Sequence, residues 1–459
     1  MRSPGQGVLA AVVALIVVVG GVAAERRGPA PPAPASPGEA VSSAWLCPHG
    51  GGPGWTGTLA LANPGTAPVH VRLTFLSDLA PGRPTDLVVP AGSEVLHDVP
   101  ATSRASATYV EAFGGWIAAG WQVRASDPEV GLGAEPCASG PARTWYAPES
   151  TTQKGQKAFL VVMNPYAVDT VFSVALFSPD LPPLRDTDWG DIVLPAGRSV
   201  ALRVDRKIVD EDAVGVQLDT KVGRVGVATL GVTEGGGVRS VLGATATAAA
   251  AFLPTAAGAG QSSLVMFVPG EHGLRFGATQ TSTEPPQPAG ALTEVQQPGQ
   301  SAATYPIITA GPSSVNVLGQ GPTLFVAALR AEGQSDDDAA TGGAVTAART
   351  WVVTPTVAEE PSFPGLVVAN PGNEEVTVTL RLLTPDGTAG GVTTFALAPS
   401  HAAGVSKAFL GASPRASVVV SATGDVVALG GSTSSGILGL SLYALAIGIA
   451  VPDGALPGL

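Results

Sequence analysis

The sequence predicts an all-β chain of four tandem β-sandwich repeats behind an N-terminal signal or anchor helix. Three observations predict it. A strand-turn-strand pattern recurs at intervals of about a hundred residues. Apolar and polar residues alternate over short runs. Gly (59) and Pro (41) punctuate those runs in a chain of 459 residues.

Residues 1–24 read as a signal peptide or membrane anchor. Val8 to Val19 is wholly apolar, Arg2 precedes it, and Val22-Ala23-Ala24 offers small residues to a peptidase. The apolar run, about 17 residues, sits at the lower edge of a membrane span. A cleaved signal and an uncleaved anchor both fit it. Residues 25–43 follow as a Pro-rich stalk, extended and polyproline-like, with Pro29, Pro31, Pro32, Pro34 and Pro37.

The repeats come next. Leu59 to Pro64, Leu160 to Pro165 and Leu366 to Pro371 are apolar runs ending in Asn-Pro. After each, apolar residues fall at alternate positions: Val69, Val71 and Leu73; Phe172, Val174 and Leu176; Val376, Val378 and Leu380. Period two with one polar face is a half-buried antiparallel strand. A weaker copy, Leu264 to Pro269, carries Val268 where the others carry Asn, so the third repeat departs at its turn. A second turn recurs at Pro90 to Gly92, Pro195 to Gly197, Pro298-Gly299 and Pro399-Ser400, and an aromatic precedes each copy at Trp45, Trp145, Phe252 and Trp351. These marks set the repeats at 44–144, 145–251, 252–350 (degenerate) and 351–459. Asn-Pro reads as fold punctuation, because Pro cannot donate to a ladder and Asn bonds its own loop.

Further runs read as Gly-punctuated hairpins, such as Val214 to Leu218 with Val225 and Val227, and Val418 and Val420 with Val426. About seven strands per repeat is the strand number of an immunoglobulin-like sandwich. Ile437 to Val451 reads as closing strands of the fourth repeat, with a C-terminal anchor as the rival. Cys47 and Cys137 fall in one repeat, and an exported chain meets an oxidising compartment, so a disulfide is expected.

Net charge is −12, and the five lysines (154, 157, 207, 221 and 407) form no stripe, which argues against nucleic acid as a partner. The histidines lack zinc-hydrolase spacing, and neither a GxSxG elbow nor a P-loop occurs. No cofactor, metal or catalytic residue is therefore expected, and the chain reads as a non-enzyme. Asp186-x-Asp188-x-x-Asp191 does not match an EF-hand and reads as a solvated loop, with a bound cation as the rival. Trp116 and Trp121 are the candidate ligand-facing aromatics, set against an ordinary core role.

The run Asn370-Pro-Gly-Asn-Glu-Glu-Val-Thr-Val-Thr-Leu380 resembles the opening of bacterial immunoglobulin-like modules from cell-surface proteins. With the export signal, the stalk and the excess of Arg over Lys, residues 40–459 resemble an actinobacterial family of exported proteins of unknown function. The resemblance implies an exported chain, membrane-anchored with extracytoplasmic domains or secreted, and brings no catalytic residues. The expectation is a non-catalytic cell-envelope binding or scaffold protein. The membrane would be met through the N-terminal segment, and the partner would be an envelope protein or cell-wall glycan. A cell-wall carbohydrate-binding protein is the alternative, and an envelope enzyme with a site between repeats is the third reading.

Overall fold

Period-two patterning is realised throughout. The computed structural model describes residues 41–456, except 80, 256–259, 283–285, 310, 333–337, 358–364, 386–389, 406–408, 410–414 and 436–440. The signal or anchor segment and residues 25–40 of the expected stalk lie outside the described residues. Residues 41–43, expected in the stalk, belong instead to the first strand, because Val41 and Ser43 pair with Phe113 and Ala112. Residues 41–459 form one compact unit.

The first sandwich contains β1 (Val41–Cys47), β2 (Thr56–Asn63), β3 (Val69–Leu76), β4 (Thr85–Val89), β5 (Ser93–Val99), β6 (Ala107–Phe113), β7 (Ala118–Ala125) and β8 (Gly131–Pro136). Its two antiparallel sheets run β1-β6-β3-β4 and β5-β2-β7-β8. The second contains β9 (Thr144–Ala147), β10 (Gln156–Asn164), β11 (Thr170–Phe177), β12 (Ile192–Leu194), β13 (Arg198–Arg203), β14 (Gly215–Val222), β15 (Gly226–Thr233) and β16 (Val238–Leu242). It repeats the order, β12-β11-β14-β9 and β13-β10-β15-β16.

The third contains β17 (Ala250–Thr255), β18 (Gly260–Val268), β19 (Leu274–Thr281), β20 (Gln287–Pro288), β21 (Val295–Gln297), β22 (Ser301–Thr309), β23 (Ser313–Gln320), β24 (Val326–Glu332) and β25 (Asp338–Gly342). Its sheets are β17-β23-β19-β20, with β21 also on β19, and β22-β18-β24-β25. The fourth contains β26 (Ala348–Val357), β27 (Leu366–Asn370), β28 (Val376–Leu383), β29 (Val392–Leu397), β30 (His401–Val405), β31 (Arg415–Ser435), β32 (Ser441–Ile447) and β33 (Ile449–Ala450).

In the first two sandwiches the second strand pairs with the fifth and the third with the sixth, the first lies beside the sixth, and the seventh beside the second. The third keeps these pairings with β20 and β21 together in the place of the fourth strand, and in the fourth β31 takes the places of the sixth and the seventh. In an immunoglobulin domain ABED faces CFG, so the first strand sits in the sheet of the second. The terminal strands here have exchanged sheets relative to that order.

The expected hairpins are not hairpins. β14 and β15 belong to opposite sheets, so the turn between them carries the chain across the sandwich. In the fourth sandwich there is no turn. β31 runs unbroken, pairing with β26 and β28 along its first half and with β27 and β32 along its second. Alternation around a glycine looks the same whether the next strand pairs or crosses.

Sandwich contacts close into a ring. The face of β1, β3 and β6 that carries Leu46, Leu76 and Ala107 turns to the second sandwich, where Leu46 and Met163 meet beside Gly226. Phe177 of β11 meets Phe267 of β18, with ring centroids 5.0 Å apart. The core of the third sandwich continues into Val367, Ala369 and Leu429 of the fourth. Val352, Leu383 and Val419 of the fourth pack on Ala62 and Ala118 of the first. One backbone bond recurs at three junctions: Ser199 N to Ser77 O (2.9 Å), Ala402 N to Ser282 O (3.0 Å) and Glu94 N to Thr384 O (3.2 Å). At the last junction a Cβ on Gly120 would lie 2.4 Å from Thr354 Oγ1, so only glycine admits this approach.

The strands β8, β16, β25 and β32 pack on one another in turn at the ring centre. Leu132 and Ala134 meet Leu442, Ala444 and Ala446 there. Ile437 to Val451, described over 441–451, thus supplies the fourth central strand.

A buried amide holds each turn. Asn63 Nδ2 donates to the carbonyls of Ala67, Val89 and Pro90, and its Oδ1 accepts from Gly65 N. Asn164 and Asn370 repeat the set at Val168, Leu194 and Pro195, and at Glu374, Leu397 and Ala398. In the third sandwich Val268 cannot do this. Gln297, from the facing turn, donates instead to Met266 O and Ser301 O, both at 3.2 Å.

The aromatic mark also shifts in this sandwich. Tyr146 bridges Ala244 as Phe252 bridges Ala344 and Leu46 bridges Ala138. Phe252 therefore corresponds to the residue after Trp45 and Trp145, and Ala251 takes the tryptophan place. One position along a strand reverses the face, so Phe252 points toward the fourth sandwich, where it packs on that core.

Candidate functional site

The recurring junction gives four versions of one place. It is built on a cross-strand pair that faces the next sandwich: Leu46 with Tyr109, Tyr146 with Gln217, Phe252 with Asn316, and Val352 with Val419. Over each pair comes the Asn-Pro turn, or its equivalent, of the following sandwich.

At the first junction Tyr109 meets Tyr166 of that turn, with ring centroids 6.3 Å apart. Burial raises the pKa of both phenols, most at Tyr109. At the closing junction Arg381, beside Val419, donates from Nη2 to Pro64 O at 3.0 Å. Burial holds its pKa below the usual guanidinium value. Ala175 and Thr279 stand at the register position of Arg381 in the second and third sandwiches. Their short side chains leave the place open.

Two clefts result. The one between the second and third sandwiches encloses about 390 Å3 and is lined by Tyr146, Gln217, Thr247, Glu271, His272 and Thr323, among others. Tyr146 is half-buried, leaning on Phe267 at a centroid distance of 6.3 Å. Gln217 Nε2 donates to Asp219 at 2.7 Å, and Asp219 also accepts from Thr144 at 2.8 Å. The amide is thereby held by a carboxylate one step behind the wall. The cleft between the third and fourth sandwiches encloses about 450 Å3, with Phe252, Asn316, Thr279, Leu318, Pro288 and Pro371 in its lining. Both volumes fall in the range of small-molecule sites, roughly 300–1,000 Å3.

The residues proposed from sequence are elsewhere. Cys47 and Cys137 form a disulfide across a separation of 90 residues. It ties the end of β1 to the residue after β8, joining edge strands of the two sheets. Trp121 is fully buried in the core of the first sandwich, so it presents no face to a ligand. Trp116 is half-buried and packs edge-on against Trp45 at 5.8 Å. The reading of Trp121 as an exposed platform is corrected accordingly: both sides of β7 are covered, one by its own sandwich and one by the fourth, whereas Trp116 precedes β7 and keeps part of its surface exposed. Asp186 and Asp188 both face the Lys207 ammonium, and Asp191 pairs with Lys221. Among the described residues, no group of three or more His, Cys, Asp or Glu is placed to hold a metal ion.

Sequence reasoning missed the buried ions of the second junction. Glu149 bonds Arg330 Nε at 3.0 Å and lies 3.4 Å from Arg239. Arg330 also reaches Asp212, and Arg239 reaches Asp338 and Gln156. Their signal was faint, since Asp338 belongs to an acidic, polar run. It missed Tyr146 and Gln217 as well, because adjacency across a junction has no local spacing.

No curated protein matches the chain. A family described as "Family of unknown function (DUF5719)" matches residues 101–406, covering the second and third sandwiches whole and parts of the other two. With well over half of its length inside that match, the chain belongs to this family of unknown function.

Proposed function

We propose that this is an exported, non-catalytic binding protein of the cell envelope, a ring of sandwiches that holds a partner or ligand in clefts between them. The observation that carries this reading is the contrast among equivalent junctions. Two are filled by Tyr109 with Tyr166 and by Arg381, while two keep ligand-sized clefts with mixed polar and aromatic walls. Preorganised concave sites on rigid sheets are how such scaffolds bind. The Cys47–Cys137 disulfide supports an extracytoplasmic location, because such bonds persist in oxidising compartments. The immunoglobulin-like resemblance and the N-terminal anchor belong to the same proposal.

Its test is site-specific photo-cross-linking in intact cells. Leu324, 43 % exposed at the mouth of the first cleft, and Leu318, 63 % exposed at the second, carry the cross-linker. Val88, 45 % exposed, serves as the control. Adducts from the cleft positions and none from Val88 are expected. Identical adduct patterns from all three would sink the reading.

The alternative, a cell-wall carbohydrate-binding protein, is favoured by one feature of the first cleft: its aromatic and hydroxyl-bearing lining.

A further inference from the structure

We infer that the cleft between the second and third sandwiches is a saccharide site for an uncharged sugar chain. This rests on the binding reading above and names its ligand class.

The chemistry of the walls points there. A pyranose has apolar C–H faces and a rim of hydroxyls. It is bound by flat apolar surfaces, which take the faces, and by fixed amides and carboxylates, which take the hydroxyls in pairs. Tyr146 supplies such a surface and is held in place by Phe267. Pro269 and Pro322 add rigid apolar walls. Gln217 offers an amide with one of its two N–H groups donated to Asp219, which orients the group and its Oε1 acceptor for a hydroxyl. Glu271 adds a second acceptor, and Thr247 a hydroxyl that both donates and accepts.

The charge balance selects among ligands. The lining contains one carboxylate, one imidazole (His272) and neither Lys nor Arg, and Asp219 stands behind Gln217. An anionic ligand would meet the repulsion of two carboxylates with no permanent cation to pair with. The second cleft differs in kind, since its lining includes neither an ionisable side chain nor a tyrosine. The two clefts are thus not interchangeable, and the sugar site is assigned to the one that holds Tyr146.

The experiment is titration calorimetry on residues 41–459, the compact unit, with its disulfide intact. The probes are the β-1,4-linked N-acetylglucosamine trimer and maltotriose, with glucose 6-phosphate as the anionic comparison. Saturable binding of a neutral probe and none of the phosphate is expected. Glu271→Gln and Tyr146→Ala should each weaken it at least tenfold, whereas Leu318→Ala in the other cleft leaves it unchanged. Glu271 is exposed, so its variant keeps the test sound should Tyr146→Ala fail to fold. Binding of the phosphate alone, of neither neutral probe, or binding untouched by Glu271→Gln would overturn the saccharide site. Cross-linking from Leu324 separates the two levels. Adducts to a protein with no sugar binding would leave the binding reading standing and this inference refuted. Absence of both would refute the two together.

Discussion

The hydroxyl of Ser417 donates to the carboxyl of Glu94, joining the fourth sandwich to the first across the junction that closes the ring. The other carboxyl oxygen of Glu94 is buried without a partner among the described residues. Register places Ser199, Ala302 and Ala402 at the same position in the other sandwiches, so the closing junction is where an acid replaces a small side chain.

That acid makes ring closure pH-dependent. Burial pushes the Glu94 pKa up to about 7 from 4.5, against the smaller opposing effect of Ser417. The folded state therefore holds a proton that the unfolded chain releases. Its stabilising effect is full below pH 4.5 and is lost as pH rises through about 7. Glu94→Gln should raise stability at pH 8 by roughly 3 kcal/mol, taking 1.36 kcal/mol per pH unit, with the gain vanishing near pH 4. Urea unfolding of both proteins across this range measures it. A gain independent of pH would contradict the assignment.

The turn amides should be costly to remove. Asn164→Ala leaves three carbonyls without their donor, and a loss of about 1–3 kcal/mol is expected. In the third sandwich the same loss should follow Gln297→Leu, while Val268→Ala acts only through packing. Chemical denaturation of the three variants compares them.

Reduction should weaken the first sandwich. The Cys47–Cys137 bridge spans 90 residues, and the chain-entropy estimate for such a loop is about 4–5 kcal/mol. Cys47→Ser with Cys137→Ser should lower the unfolding midpoint, and reductant should lower that of the native chain but not of the double variant.

The second junction depends on charge pairing. Glu149 is 1 % exposed between two arginines, so Glu149→Gln leaves Arg330 with Asp212 and Arg239 with Asp338 as their remaining carboxylates. A loss of about 1–3 kcal/mol is expected. Thermal melts report it, and hydrogen exchange should locate the loosening at β16, β24 and β25.

Trp121→Ala should cost about 3–5 kcal/mol by opening a core cavity. Saccharide binding by the folded fraction should be unchanged, which separates its core role from the ligand-facing one.

The all-β class and the repeat period were legible because both follow from local alternation and from turns whose residues are fixed by backbone chemistry. Asn63, Asn164 and Asn370 mark the turns since a buried amide must satisfy the same carbonyls each time. Val268 hid the third turn because its replacement, Gln297, sits 29 residues away. Strand pairing was less legible. A glycine between two apolar runs does not reveal whether the chain folds back, crosses to the other sheet, or continues as β31 does. The clefts were least legible, since Tyr146 and Glu271 meet only through a junction, and the length of Arg381 decides elsewhere whether such a place stays open. Trp121 misled because a tryptophan near a glycine reads alike on a surface and in a core.

The ring joins the earliest part of the chain to the latest. Ser417 leaves the ribosome 323 residues after Glu94. At about 5–20 residues per second that is roughly 15 s to a minute. Through that interval the nascent chain carries the surface of Ala62 and Ala118 uncovered, with a half-made neighbour on one side and nothing on the other. A ring sealed by strands made this late leaves the surface that they cover bare until they arrive.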